Sequence, residues 1–502
     1  MLKRVQKNVV ALTAICVFVL LVIVAQHRDL VSPFVKSRVQ LMYKGESRLL
    51  HQQRAFWRQF YRDLDDFGPK TFALTHPEGT NLAIGYDPDL ARGRPDLLSM
   101  TTTQLTALKE GHRWFVDAMN HRKYSLPYSP GTRGIVTTAG GAYLNVALVS
   151  IRMLRRTGSV LPVEIFLADW SEFDAEICGH VMPSLGATCV VLEDIFASDE
   201  SFKAPPIEKY QFKVMAILFS SFEEVLFLDS DCFPIYDPNP LFDQQPFTDT
   251  GLVLWPDFWF PSETFLFFEI AEIDNPDIHN KASTEAGEIM YSKRRHEADI
   301  LLAAYYNYYG PGFYYPLQSQ GAPGEGDKET FVWAAVAMNS SYYNVKRAVA
   351  AVGYISSTGD WHGSTMVQFD PAQDFAHNTT DTKSVPQPSE AHHSKETYPR
   401  PFFLHVNFPK IDPGQIFLPV PHTSFGVYTS VYDAGEPRRI WHSNATAAER
   451  FFGFDVERVL WTEVKDIACR YEKKFSAWKK QKGICADATS YLDTVFGEHM
   501  DR

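Results

Sequence analysis

The sequence has no excess of positive charge. Its 502 residues carry 48 Lys and Arg against 60 Asp and Glu, a formal net charge of −12. Nucleic-acid binding needs a basic footprint, so that class of partner is excluded. Cysteine is scarce too, with six residues at positions 16, 178, 189, 232, 469 and 485. Their spacings match neither a zinc finger nor a thioredoxin-type motif, which leaves disulfides as the better use for them. Cys178 with Cys189 and Cys469 with Cys485 are local candidate pairs, although spacing alone does not fix connectivity. No internal repeat is present. Apolar and aromatic residues, by contrast, make up 45% and 14% of the chain. That is ample for a large packed core and excludes global disorder.

The first apolar run covers residues 9–25, at the lower edge of what spans a bilayer as a helix. Lys3, Arg4 and Lys7 precede it. The positive-inside rule then keeps residues 1–8 cytosolic and sends the remainder across. Ile23-Val24-Ala25 loosely resembles a signal-peptide cleavage site, but the run exceeds a usual signal core and Ile23 is large for that position. A signal anchor is therefore expected. Sequons at Asn339, Asn378 and Asn444 are compatible with a lumenal address. Residues 26–100 read as a stem and N-terminal helical region. Within it Leu49, Phe56, Trp57, Phe60, Leu64 and Phe67 recur at helical spacing until Gly68-Pro69. Packing on the catalytic domain is favoured over a dimerisation coil, because no heptad persists. Residues 101–480 form the expected catalytic domain, 371–399 a polar insertion and 481–502 a tail.

From residue 134 strands and helices alternate. Strands are expected near 134–137, 163–168, 189–192 and 224–228, with helices over 142–156, 172–182 and 207–220. This order predicts an α/β fold: a Rossmann-like, mostly parallel sheet with flanking helices, whose ligands sit beyond the carboxyl ends of the strands. At the end of the last strand stand Asp229-Ser230-Asp231. Two carboxylates two residues apart in an extended segment point to one side, where they suit Mn²⁺ (or Mg²⁺) shared with substrate phosphates. A bare Asp-x-Asp is common, but one that follows a buried strand is far more specific.

The run from Lys209-Tyr210-Gln211-Phe212-Lys213 to Leu228-Asp229-Ser230-Asp231 resembles the fungal mannan-branching α-mannosyltransferases, as do Gly326-Asp327-Lys328-Glu329-Thr330-Phe331 and Met366-Val367-Gln368-Phe369-Asp370-Pro371. The resemblance implies a type II Golgi membrane protein with a lumenal GT-A domain. It further implies GDP-mannose, Mn²⁺, a mannan or N-/O-glycan acceptor, and other Golgi glycosyltransferases as complex partners. Transfer would retain the anomeric configuration in α-1,2 or α-1,3 linkage, and the Gly-Asp-Lys-Glu-Thr-Phe form is closer to the α-1,2 branch on an α-1,6-mannan backbone.

With that resemblance, Asp229, Asp231 and His405 are the expected metal ligands. Thr137, Thr138, Gly140, Gly141, Lys213, Ser230 and Lys410 are expected at the donor, with the glycines also readable as a plain tight turn. Asp327 and Glu329 are the acidic candidates for the retaining step, by a covalent intermediate or by same-face attack. Glu329 is equally readable as a first-turn helix residue. Trp255, Asp257, Trp361 and Gln368 are expected at the acceptor. The rivals are a UDP-glucose- or UDP-galactose-dependent transferase and a catalytically silent glycan-binding subunit.

Overall fold

Four apolar runs set the first half of the sheet. The computed structural model describes residues 48–75, 77, 82–197, 207–324, 326–377, 399–418, 431–441 and 444–497. The chain divides into Met1–His51 and Gln52–Arg502, and every strand among the described residues lies in the second unit. β2 (Val163–Leu167), β3 (Ala187–Val191) and β4 (Phe222–Leu228) are short and mostly apolar, and β1 (Ser129–Thr138) is longer, with its buried part at residues 134–137. They pair in parallel in the order β3-β2-β1-β4, with Ile135 of β1 opposite both Val163 and Leu226. β1 and β4 are inner strands, so both faces are covered and their apolar runs are nearly continuous. The sheet continues through β7 (Thr284–Ser292), which is antiparallel to β4, and then β6 (Leu252–Pro256) and the short β8 (Tyr343–Asn344). It is therefore mixed but mostly parallel, as expected.

A second, wholly antiparallel sheet was not expected. Its order is β5 (Cys232–Pro234), β11 (Pro401–His405), β10 (Trp361–Phe369) and β9 (Ala350–Ile355). β5 begins directly after Asp231, so the chain leaves one sheet and enters the other at the two aspartates.

Helices α1 (Arg48–Phe67), α2 (Thr102–His121), α3 (Tyr143–Arg156) and α4 (Gln211–Phe219) flank the first sheet. A reciprocal cap starts α2, in which the Thr101 hydroxyl accepts from Gln104 N and the Gln104 amide oxygen accepts from Thr101 N. The helix expected over 172–182 is confined to Ile177–Val181 and Met182–Ser184. Asp174 delays its start by accepting from the backbone of Glu176 and Ile177, and Gly186, at φ 65, turns the chain after its end. α5 (Glu297–Tyr308) and α6 (Glu329–Ala337) are buried nearly all round.

Three expected boundaries are corrected. From Gln52 onward α1 is part of the catalytic unit and packs in it, as favoured above, with Trp57, Phe60 and Leu64 sealed and the Phe56 and Trp57 rings 5.7 and 5.9 Å from Phe219. Residues 82–100 also belong to it, anchored by Arg94 on Glu263 at 2.7 Å. At the other end α7 (Val456–Tyr471) is joined by Cys469–Cys485 to α8 (Ile484–Phe496), so 484–496 is a packed helix and not a tail. The polar insertion is shorter than expected, since Pro371–His377 is a helix whose buried Asp374 accepts from Lys346 N and Arg347 N. Cys178–Cys189 is the other disulfide, and Cys232 is a buried free thiol. The expected anchor at 9–25 and Asn378 lie outside the described residues. Among those described, no helix is long and apolar enough to cross a membrane.

Candidate active site

The carboxyl end of β4 meets the end of β11. Asp229 and Asp231 do not lie in an extended segment. They sit in a turn between β4 and β5, closed by Cys232 N donating to the Asp229 carbonyl at 2.9 Å. Both still face one imidazole. His405 Nε2 is 3.3 Å from Asp231 Oδ1 and 4.0 Å from Asp229 Oδ2. The two sheets fix this meeting through backbone, because His405 is the ladder partner of Cys232 and Val406 N donates to the Asp231 carbonyl at 2.8 Å.

Each aspartate has its own lysine. Lys410 forms an ion pair with Asp231. Lys213, from α4, lies 3.2 Å from Asp229 Oδ2 and 3.4 Å from Asp327 Oδ2, and donates to the Ala286 carbonyl at 2.6 Å. Of its three donors, Lys213 commits two to hydrogen bonds, on Asp229 and on the Ala286 carbonyl, with Asp327 as a further ion-pair neighbour. Expected at the donor, Lys213 lies buried against the two acids.

Burial opposes ionisation of Asp231, but the Lys410 ammonium and the His405 ring beside it hold its carboxyl well below the usual range. Burial likewise opposes charge on His405, and Asp231 and Glu285 outweigh it and raise the imidazole. Burial dominates at Asp327, pushing it up to about 6 although Lys213 pulls the other way. Such opposed shifts in neighbouring acids are typical of functional sites.

The sequence reasoning missed Glu285. It stands on β7, where the register against β6 shifts between the Val253–Met290 and Trp255–Glu285 pairs. Such a bulge re-aims side chains. Here it presents Glu285 Oε1 to His405 Nδ1 at 3.4 Å. One donor atom each from Asp229, Glu285 and His405 lies within 4.8 Å of the others. His405 Nδ1 and Asp327 Oδ2 are buried without a closed hydrogen bond. Carboxylates beside an imidazole are a donor set that suits Mn²⁺, so the residues present fit a divalent cation. The signal in the sequence was a pair of glutamates, Glu285 and Glu288, inside an otherwise apolar strand. Tyr143 was missed as well; burial raises its phenol, and Lys410 and the two aspartates act on it.

The remaining expected residues divide. Thr137 lines a small cavity with Asp229 and Ser230, and its hydroxyl is buried without a partner. Thr138, Gly140 and Gly141 follow at the same strand end. Gly140 is small for a local reason, since a Cβ there would run into the Glu172 carboxylate, whereas Gly141, at φ 57, faces open space. Four others are held in the interior. Trp255 is fully buried, and its indole donates to the Phe369 carbonyl at 3.0 Å. Gln368 is fully buried and donates to the Pro256 carbonyl at 2.7 Å. Asp257 is buried and paired, accepting from Lys328 Nζ at 2.5 Å and Phe258 N at 2.6 Å. Glu329 accepts from Thr284 N at 2.7 Å in the first turn of α6, and burial beside Glu263 raises it to about 7. Trp361 begins β10, far along the strand from Met366, the partner of His405.

The mannosyltransferase family model Mannosyl_trans3 matches residues 132–281 and 276–370, a span containing Asp229, Asp231, Glu285 and Asp327. The α-1,2-mannosyltransferase MNN21 of Candida albicans is 30% identical over 456 residues, covering 79% of this chain and 66% of that protein. MNN2 of Saccharomyces cerevisiae, also an α-1,2-mannosyltransferase, is 28% identical over 472 residues, covering 79% and 76%. This chain belongs to the fungal MNN mannosyltransferase family. As an MNN family member it spans from about half to three quarters of the length of such relatives, 56% in the case of MNN24 of Candida albicans. His405 and Lys410 lie beyond the region of the MNN chain that the family model matches.

Proposed function

We propose that this chain transfers mannose from GDP-mannose onto a mannan or a related N- or O-glycan, forming α-1,2 branches on an α-1,6 backbone with retention. The observation that carries the proposal is the convergence of Asp229, Asp231, His405 and Lys410 beyond the carboxyl end of β4, where open parallel sheets bind ligands. The sheet order with its single antiparallel strand is read as a GT-A arrangement. Relatives whose names state α-1,2-mannosyl transfer support the reaction class.

Asp229, Asp231 and His405 would hold a divalent cation, Mn²⁺ or Mg²⁺. When bound, such a cation supplies electrostatic stabilisation of the departing diphosphate. Lys410 is the ammonium placed to share that work, since its partner Asp231 would turn to the cation. Lys213 holds Asp229 and Asp327 in place through its ion pairs with both. Asp327, raised to about 6 by burial and bound to Lys213, is the carboxyl set beside the metal-binding acids for the retaining step. We place the protein as a type II Golgi membrane protein on the strength of residues 3–25.

The test incubates full-length protein with GDP-mannose, Mn²⁺ and defined α-1,6-mannosides, followed by linkage analysis. An α-1,2-mannosylated product that disappears with EDTA is expected. A clear preference for UDP-glucose or UDP-galactose would overturn the donor assignment, and absence of any transfer would favour a silent subunit.

A further inference from the structure

Glu285 has neighbours on several sides, and together they define what it does. Its Oε1 accepts from Gly287 N at 2.8 Å. The carbonyl of the same Gly287 accepts from Asp229 N at 2.8 Å. One residue therefore ties the Glu285 carboxylate and the first aspartate to a common piece of β7. From that fixed point Oε1 faces His405 Nδ1 at 3.4 Å, while Nε2, on the opposite side of the ring, faces Asp231 and Asp229. The ring lies close against Gly287, where a Cβ would sit 2.6 Å from His405 Cε1 and would also press on Nδ1.

An imidazole ligates a metal through one nitrogen, and the partner of the other nitrogen sets the tautomer. Both ring nitrogens face carboxylates, Nδ1 that of Glu285 and Nε2 those of Asp231 and Asp229, so a cation held at the two aspartates would take the Nε2 lone pair and leave the hydrogen on Nδ1. We propose that Glu285 is a positioning residue for His405: it takes the Nδ1 hydrogen and aims Nε2 at the two aspartates, without ligating the cation itself. This rests on the reading of Asp229, Asp231 and His405 as a cation site. A direct ligand role for Glu285 is the competing assignment. It is disfavoured because Oε1 is already shared between Gly287 N and the Nδ1 side of the ring.

Mn²⁺ binding to the full-length protein, followed by the electron paramagnetic resonance signal of free Mn²⁺, tests the site in wild type, D229A, E285A and E285Q. Wild type should bind and D229A should not. E285A should bind about 10–100-fold more weakly. E285Q keeps a side-chain oxygen that accepts from Nδ1, and should recover most of that loss. Wild-type affinity in E285A overturns the proposal. So does loss in E285A and E285Q as complete as in D229A, because Glu285 would then be a ligand. A wild type that binds no Mn²⁺ sinks the cation reading. The positioning role is decided separately by crystal structures of metal-free wild type and E285A. The His405 ring should turn away from Asp231 in E285A, and a ring that keeps its place overturns the proposal.

Discussion

Gly287→Ala adds one carbon where the structure has room for none. The new Cβ would press on His405 Nδ1 and lie 2.6 Å from Cε1 and 3.0 Å from Glu285 Oε1. Carbon atoms rest at about 3.5–4.0 Å, so the ring must retreat by about 1 Å. Gly287 does not occupy the positive-φ region, so the substitution acts through this contact and not through backbone strain. Overpacking of this kind costs about 1–3 kcal/mol, a loss that lowers Tm by a few degrees. The larger consequence is functional, because a misplacement of about 1 Å at a catalytic centre lowers turnover about 10²-fold. The assay is kcat/KM for mannose transfer beside a thermal melt, with Gly93→Ala as control, since nothing lies within 4 Å of a Cβ at that position. A Gly287→Ala protein with wild-type kcat/KM and wild-type Mn²⁺ affinity would refute the geometry, for His405 would not then be a working part of the site.

Asp229→Ala should lower Mn²⁺-dependent transfer by at least about 10²–10³-fold, and full activity would remove the site assignment. Lys410→Met leaves Asp231 buried and without its ammonium, and should cost about 3–5 kcal/mol in urea unfolding. Adding Asp231→Asn should return part of that loss, and no recovery would show that the pair is not the cause. Glu457 is buried and accepts from Ile440 N at 2.7 Å; burial raises it from 4.5 to about 7. The folded state thus keeps a proton that the unfolded chain releases, and stability falls as pH rises from 4.5 to about 7 and is level above. The slope amounts to about 3 kcal/mol at most; it should vanish in Glu457→Gln, and an unchanged slope would assign it elsewhere. Cys469→Ala opens a loop of sequence separation 16 and should cost about 3 kcal/mol in urea unfolding against oxidised wild type, and an unchanged midpoint would show that this disulfide does not stabilise the fold.

The parallel half of the fold was legible because its strands are buried runs separated by helices of clear period. Val163–Leu167 and Phe222–Leu228 fall almost where the apolar runs place them. β7 was not legible. Its two glutamates and central glycine break the apolar pattern, and the bulge that justifies them exists only against β6. The site followed the same division. Asp229, Asp231, His405 and Lys410 announce themselves at strand ends, and the structure brings all four together. Whether a tryptophan, glutamine or acid near them is exposed depends on long-range packing. Trp255 and Gln368 therefore passed for acceptor residues, although each donates to a backbone carbonyl in the interior. Lys213 read as a donor contact from the sequence; only the fold shows it closed in behind the acids.

The imidazole at the tip of β11 owes its location to neighbours on either flank, Cys232 of β5 and Met366 of β10. It owes nothing to the length of polypeptide that leads from His377 to Pro399. Closing a longer or shorter link there changes the entropy only slowly. An insertion or deletion there should consequently leave the chemistry a few residues downstream in register.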